Sequence, residues 1–346
     1  MKKSTLNDVA RTTGLSVTTI SRVINGKSEE YRISEATREK VLRAIRELNY
    51  KPNLIAQSLR SSSTHTIGLL VPRIENPFFA NIASIIIQEA NRYTYPVVVI
   101  DTRENPFDED RAIDTLLARN IDGIIMAPCS DNARRINEVV RQTPVVLVDR
   151  YYEDADFGDV PYVSTDNYVG AMEATQLLIS QGHTNILCIQ GSPISVTSRN
   201  RVRGYCDSLR EAGLADNINI RGNEYSIENG YIEAKLALMS GEPVTAILAL
   251  SSTIMLGVLK AVKEHGLRVP EDISLVSFDN NIFIDYLDPP ITRVAQPIEH
   301  IGIVAVKMLM DTILDKGVMN KSVLLPPRLI QGKSIASLRD DIRAKA

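Results

Sequence analysis

From Thr66 onward the chain repeats one pattern, a short apolar, β-branched run followed by roughly 10–18 residues of helical spacing. The runs TIGLLV, PVVVID, DGIIMA and PVVLVD lack the polar alternation of a half-exposed strand, so each must be covered on both faces. Strands of that kind lie parallel in a sheet, with helices as their crossovers. A second series, YVST, NILCIQG, VTAILAL and ISLVSFD, repeats the arrangement. The pattern predicts an α/β fold of two doubly wound parallel sheets. ITRVAQPIEHIGIVAVKMLMDTIL supplies a further helix, and VLLPPRLI a late strand pair.

The first fifty residues follow another rule. TLNDVARTTGLSVTTISRVIN reads as two short helices joined by a tight turn. Thr5 N-caps the first, with Asp8 at the capping-box position. Leu6, Val9 and Ala10 form its apolar face, and Gly14 ends it in a left-handed turn. Ser16 caps the second helix, whose inner face is Ile20, Val23 and Ile24. Its outer face is Val17, Thr18, Ser21 and Arg22. Small and cationic side chains of this kind let a helix reach base edges in the major groove and anchor it there. Ser34 opens a third helix, SEATREKVLRAIRELNY, with Val41, Ile45 and Leu48 inward.

Charge is divided along the same line. Residues 1–60 hold 12 Lys and Arg against 6 Asp and Glu, and the remainder holds 27 against 36. A basic head on an acidic body suits a DNA-binding module joined to a sensor. The start MKKSTLNDVA has no apolar core, so no signal peptide is expected, and no run is long enough to span a bilayer. Cys129, Cys188 and Cys206 have no metal spacing and suggest reduced thiols in a cytoplasmic protein. No phosphate-binding glycine loop, nucleophile elbow or zinc motif is present, and the four histidines are scattered. No enzyme, cofactor or metal site is therefore expected.

LNDVA, GLSVTTISRVIN, ATREKV, YKPN and AQSL, in that order, resemble the head and hinge of the lactose-repressor (LacI/GalR) family of bacterial transcription regulators. The resemblance covers essentially the whole chain. It implies an N-terminal all-α helix-turn-helix domain at 1–50 and a hinge helix at 51–63. A periplasmic-binding-protein-like α/β domain of two doubly wound subdomains follows at 64–340. The first subdomain is expected at about 64–163 and 297–325, the second at about 164–295 and 327–340. The DNA-facing residues it implies are Thr5, Leu6, Ser16, Val17, Thr18, Thr19, Ser21, Arg22 and Asn25, with Asn53, Ala56, Gln57 and Leu59 of the hinge. Leu59 matches a leucine that wedges into the minor groove. The loop NGKSEEYRIS is longer than in the shortest members, and Tyr31 and Arg32 are placed to touch the DNA backbone.

Ligands of open α/β sheets bind beyond the carboxyl ends of strands. After the first strand, PRIENPFFA offers Arg73, Asn76, Phe78 and Phe79 to the apolar and hydroxyl faces of a sugar. VVLVD ends at Asp149 and Arg150. QGSPISVTSRNRVRGY sets Thr197 and Arg201 near a helix start, and Arg201 matches the family's ligand-gripping arginine. Tyr225 matches an aromatic that stacks on the effector, Asp279 a carboxylate that accepts sugar hydroxyls, and Gln296 a hinge residue that can reach the ligand. One departure is Ser251-Ser252 where the family usually carries Asn-Asp, which implies a different effector or intervening water. Arg73 and Arg150 tilt the reading toward an acidic or phosphorylated sugar, with a neutral sugar equally open.

The resemblance implies a regulator, with repression the expected mode, of carbohydrate-related genes. It would be a homodimer on a pseudo-palindromic operator, switched by a small sugar or sugar derivative and involving no membrane. The helices near Asn76 and the edge strand of the first subdomain are the candidate dimer surface. No heptad tail for tetramerisation follows Gly332. A regulator answering to a protein corepressor, which Ser251-Ser252 keeps open, and a stand-alone sugar-binding receptor are the alternatives.

Overall fold

In the first helix, α1 (Leu6–Thr13), the Thr5 N–H donates to Asp8 Oδ2 at 2.9 Å and the Asp8 N–H donates to Thr5 Oγ1 at 3.3 Å. The cap stabilises this short helix by about 1 kcal/mol, and Gly14 at φ 66° closes it. α2 (Val17–Ile24) is capped by Ser16 and α3 (Glu35–Glu47) by Ser34. Val9, Ile20, Val23, Val41 and Ala44 form the core that the three helices share, with Leu6, Ile24, Ile45 and Leu48 packed around it. The Ser4 hydroxyl donates to the Leu48 carbonyl at 2.8 Å, tying the start of α1 to the end of α3.

The computed structural model describes residues 4–50, 63–130, 133–153, 160–315 and 322–338. The chain forms two compact units, Met1–Thr64 and His65–Ala346. The expected hinge contacts Asn53, Ala56, Gln57 and Leu59 lie outside the described residues. No helix among the described residues is long and apolar enough to cross a membrane.

The larger unit holds two six-stranded sheets. The first comprises β1 (Ile67–Val71), β2 (Val97–Asp101), β3 (Gly123–Met126), β4 (Val145–Val148), β5 (Tyr162–Thr165) and β11 (Val323–Leu325). Their order across the sheet is β11-β5-β4-β3-β1-β2, and all pairs are parallel. Helices α4 (Pro77–Arg92) and α11 (Ile298–Ile313) bury one face; α5 (Pro106–Ala118) and α6 (Arg134–Val139) bury the other.

The second sheet is ordered β12-β10-β9-β8-β6-β7. Its strands are β6 (Ile186–Ile189), β7 (Asn219–Arg221), β8 (Ala246–Ala249), β9 (Ser274–Phe278), β10 (Thr292–Ala295) and β12 (Arg328–Ile330). Only β12 runs antiparallel, against β10. α7 (Asn167–Ser180) and α8 (Val196–Glu211) cover one face, α9 (Ile227–Met239) and α10 (Ser252–Glu264) the other. α9 and α10 nearly touch backbones: a Cβ on Gly230 would lie 2.1 Å from the Ile254 carbonyl oxygen, and one on Gly257 2.1 Å from that of Ile227.

One sequence expectation changes here. YVST, grouped above with the second series, is β5 and pairs with β4 and β11 in the first sheet. The two strands of VLLPPRLI, β11 and β12, belong to different sheets. Pro326 and Pro327 stand between them and carry no N–H for a ladder. The chain thus crosses between the lobes after β5, after β10 and between β11 and β12. These crossings set the carboxyl ends of both sheets around one cleft.

Candidate functional site

Each lobe delivers polar side chains from the loops after its strands. Arg73 follows β1, Arg103 and Glu104 follow β2, Cys129 follows β3, and Asp149 and Arg150 follow β4. From the second lobe, Ser195 follows β6 and Glu224 and Tyr225 follow β7. A cavity of about 630 Å³ lies between them, lined by Arg73, Glu104, Arg150, Glu224 and Tyr225 among others.

The cavity's guanidinium groups are compensated. Arg150 donates from both Nη atoms to Glu104, each at 2.7 Å, and lies 5.6 and 5.9 Å from the ring centres of Phe79 and Tyr225. Burial opposes its charge, but the Glu104 carboxylate outweighs burial and raises its pKa. Arg73 pairs with Glu75 at 3.4 Å and, across the cleft, with Glu224 at 3.5 Å. Arg199 of α8 pairs with Glu153 at 3.2 Å. The positive field that tilted the reading toward an acidic sugar is therefore absorbed by neighbouring carboxylates.

Asp149 is the exception. It is buried beside Arg150, with φ 62°, and its Oδ1 has no hydrogen bond. Arg150 Nε is also buried without a partner, and it stands 3.9 Å from Asp149 Oδ2. Burial pushes the Asp149 carboxyl up to about 6, against the pull of Arg150 and Arg201. An orphan acceptor beside an orphan donor is what a hydroxyl, which both donates and accepts, can satisfy.

A buried polar network links the two lobes. Arg201 donates from Nε to Asn167 at 2.7 Å and from Nη1 to the Leu250 carbonyl at 2.6 Å, its guanidinium 4.2 Å from the Phe278 ring centre. Asp279 accepts from the Ser252 N–H and hydroxyl and from Gln296 Nε2. Gln296 in turn accepts from Thr165 of the first lobe at 2.7 Å. This chain ties the two lobes together at the crossings.

The residues singled out above therefore divide. Arg73, Arg150 and Tyr225 line the cavity; Asp149, Arg201, Asp279 and Gln296 are buried. Thr197 shares hydrogen bonds with Ser195 at 2.7 Å and Tyr225 at 3.2 Å. Phe78 and Phe79 are corrected: both are buried in the first lobe's core, as α4 turns its apolar stripe onto the sheet, and only Phe79 faces Arg150. Asn76 caps α4 through its side-chain oxygen, which accepts the Phe78 N–H at 3.0 Å. Ser251 likewise caps α10, and Ser252 serves Asp279, so both hydroxyls have structural partners. Sequence reasoning missed Glu104, Glu153, Glu224, Asn167 and Thr165. Glu104 had a signal, since it follows a strand end just as Asp149 does.

Cys129 has its thiol pushed up to about 12, first by burial and then by the Glu109 carboxylate, while its N–H donates to Glu109 at 2.6 Å. It is a buried residue of the cavity wall. No metal-binding group of three or more His, Cys, Asp or Glu occurs among the described residues.

On the head, Thr18 is exposed and Val17, Thr19, Ser21 and Arg22 are half-buried. Ser16 accepts the Thr19 N–H at 3.1 Å, so this hydroxyl is a cap first. Thr5 is spent in the capping box, and Leu6 packs on the core. Asn25 donates to Ser21 at 3.4 Å. The Arg22 guanidinium lies 3.8 Å from the centre of the Tyr31 ring.

A capped helix pair with a small, polar outer face, and two parallel lobes around a ligand-sized cleft, define a DNA-binding regulator with a sensor domain. Comparison with known proteins agrees. Residues 5–53 match the bacterial regulatory proteins of the lacI family, and residues 64–333 the periplasmic binding proteins and sugar binding domain of the LacI family. The chain belongs to the LacI family of transcription regulators. It is 33% identical over 341 residues to the HTH-type transcriptional regulator DegA of Bacillus subtilis, covering 97% of this chain and 99% of DegA. It is 31% identical to the ribose operon repressor of Haemophilus influenzae, covering 97% of this chain and all of that one. The lac repressor dimer bound to operator and the anti-inducer ONPF superposes with a TM-score of 0.86 at 29% identity, covering 97% of this chain and all of that chain.

Proposed function

We propose that this chain is a homodimeric, cytoplasmic repressor that reads a pseudo-palindromic operator with α2 and the hinge. In this reading a neutral sugar in the interlobe cleft sets its operator affinity. The observation that carries the ligand class is the pairing of the cleft arginines with Glu104, Glu224 and Glu153, which leaves a buried acceptor on Asp149 beside a donor on Arg150. An added anion would meet the Asp149 and Glu104 carboxylates with only the Arg150 Nε–H unpaired, whereas a hydroxyl would satisfy both that donor and the Asp149 acceptor. Cleft contact is assigned to Arg73, Asp149, Arg150 and Tyr225, and through rearrangement of the polar floor to Arg201, Asp279 and Gln296. The ribose repressor and the operator-bound lac repressor dimer support the same reading.

Self-association is assigned to more than the helices near Asn76. The second lobe exposes Ile282 at 80% and Tyr286 at 82%, and α9 exposes Ile232, Leu236 and Met239. Ile232, Leu236 and Met239 recur at helical spacing on one face of α9, the kind of contiguous apolar face that serves as an interface.

The test is a titration of the full chain on a site selected from random DNA, repeated with D-ribose, cellobiose and ribose 5-phosphate. A neutral sugar is expected to change the operator Kd by about 5- to 150-fold. A response confined to the phosphorylated sugar would overturn the ligand class. Failure to enrich any sequence would overturn the DNA reading.

A further inference from the structure

The loop between α2 and α3 is folded onto the end of α2. The Lys27 N–H donates to the Arg22 carbonyl at 2.9 Å, Tyr31 N–H to the Lys27 carbonyl at 3.2 Å, and Ile33 N–H to the Ser28 carbonyl at 2.8 Å. Ser28 is buried, Arg32 takes a left-handed φ of 51°, and Ile33 joins the head's core. These bonds hold the Tyr31 backbone in one place. The Tyr31 ring is not part of that core and remains 41% exposed, yet the Arg22 guanidinium stacks on it at 3.8 Å.

We propose that Tyr31 is a positioning residue for base discrimination, acting through Arg22 rather than by its own contact with DNA. The proposal rests on the head's reading as a DNA-binding unit. Arginine distinguishes guanine by presenting two coplanar N–H donors to the O6 and N7 acceptors. A free arginine must first be ordered out of many rotamers, and its plane must then match that of the base. Stacking occupies a face of the guanidinium and leaves the N–H edge open. A ring fixed by the loop therefore selects the plane of the fork before DNA arrives, and the ordering cost no longer falls on the encounter. This replaces the expectation that Tyr31 touches the DNA backbone.

Stacking is distinguished by experiment from three rivals: a hydroxyl contact to phosphate, loop packing, and no role in DNA binding. The full-length chain and its Tyr31→Phe, Tyr31→Leu, Tyr31→Ala, Arg22→Ala and Arg22→Ala/Tyr31→Ala variants are titrated on the selected operator and on single-base variants of it. Circular dichroism melts record whether each head is folded. Arg22→Ala is expected to weaken operator binding by about 5- to 150-fold and to flatten the preference at one base pair of each half-site. Tyr31→Ala and Tyr31→Leu should each lose about two- to fivefold and flatten the same base pair, while Tyr31→Phe keeps both affinity and preference. In the Arg22→Ala background Tyr31→Ala should do nothing more. Loss in Tyr31→Phe equal to that in Tyr31→Ala would overturn the proposal in favour of a phosphate contact. Wild-type behaviour of Tyr31→Leu, or additive losses in the double variant, would overturn it as well. If no sequence is enriched at all, the DNA reading has failed; if Arg22→Ala leaves base preference unchanged, only this proposal has.

Discussion

Replacing Asp149 with asparagine should make the protein more stable at neutral pH, and the gain should vanish in acid. The wild-type carboxyl titrates near 6 in the folded chain against an ordinary 3.8, because burial disfavours its charge more than Arg150 and Arg201 favour it. The folded state therefore holds a proton that the unfolded state has already released. Between those two values stability falls as pH rises. Below the lower value both states are protonated and the penalty is absent; above the upper value it is fully present. A shift of about two units at 1.36 kcal/mol each makes the penalty roughly 3 kcal/mol at pH 7. Asparagine keeps the size and much of the polarity but carries no charge at any pH. Unfolding free energies from urea titrations of wild type and Asp149→Asn, measured from pH 4 to 7.5, should show the variant gaining on the wild type up to about pH 6, by up to that amount, and then holding level. A difference that is flat across the range, or that runs the other way, would refute the electrostatic argument. The same substitution replaces one carboxylate acceptor with an amide donor and removes the charge, so effector binding should weaken while stability improves, the trade expected where orphaned charge serves a site.

Glu104→Gln removes the charge that compensates Arg150, a side chain with 7% exposure. It should destabilise the chain by about 3–5 kcal/mol, with much of the loss restored when Arg150 is also replaced by methionine; denaturant titration of the single and double variants decides it. Gly191→Ala would place a Cβ 2.3 Å from the Tyr225 ring, whereas Gly230→Ala would meet the Ile254 carbonyl oxygen at 2.1 Å. A half-buried ring can swing aside and a helix backbone cannot. Gly191→Ala should cost about 1 kcal/mol and displace Tyr225 from the cleft wall, while Gly230→Ala should cost about 3 kcal/mol and leave the cleft intact. Thermal melts and a crystal structure of each variant check the pair.

NPFF at Asn76–Phe79 implies a helix opening with ligand-facing rings; Asn76 and Pro77 do open the helix, but Phe78 and Phe79 are both buried in the first lobe's core. The Asn-Pro-Phe trio recurs at Asn105–Phe107, where Asn105 caps α5 and Phe107 stays 68% exposed. The motif thus specifies a helix start and leaves the fate of the ring to whatever the helix packs against. Ser251-Ser252 looked like a gap in the cleft chemistry, yet Ser251 caps α10 and Ser252 supports Asp279.

Local features are legible in the amino-acid order: the capping box at Thr5 and Asp8, the caps Ser16 and Ser34, the turn at Gly14, and the apolar runs that became parallel strands. Each depends on residues within about four positions or on the period of one segment, so nearest-neighbour physics suffices. Only the tertiary structure decided the pairings that give the cleft its character. Arg150 meets Glu104 from 46 residues away, Thr165 meets Gln296 from 131, and Arg73 meets Glu224 from 151. Composition showed how many charges there were and roughly where. Which ones cancel depends on the sheets bringing strand ends from two lobes to one cleft, because charges interact by distance in space and not along the chain.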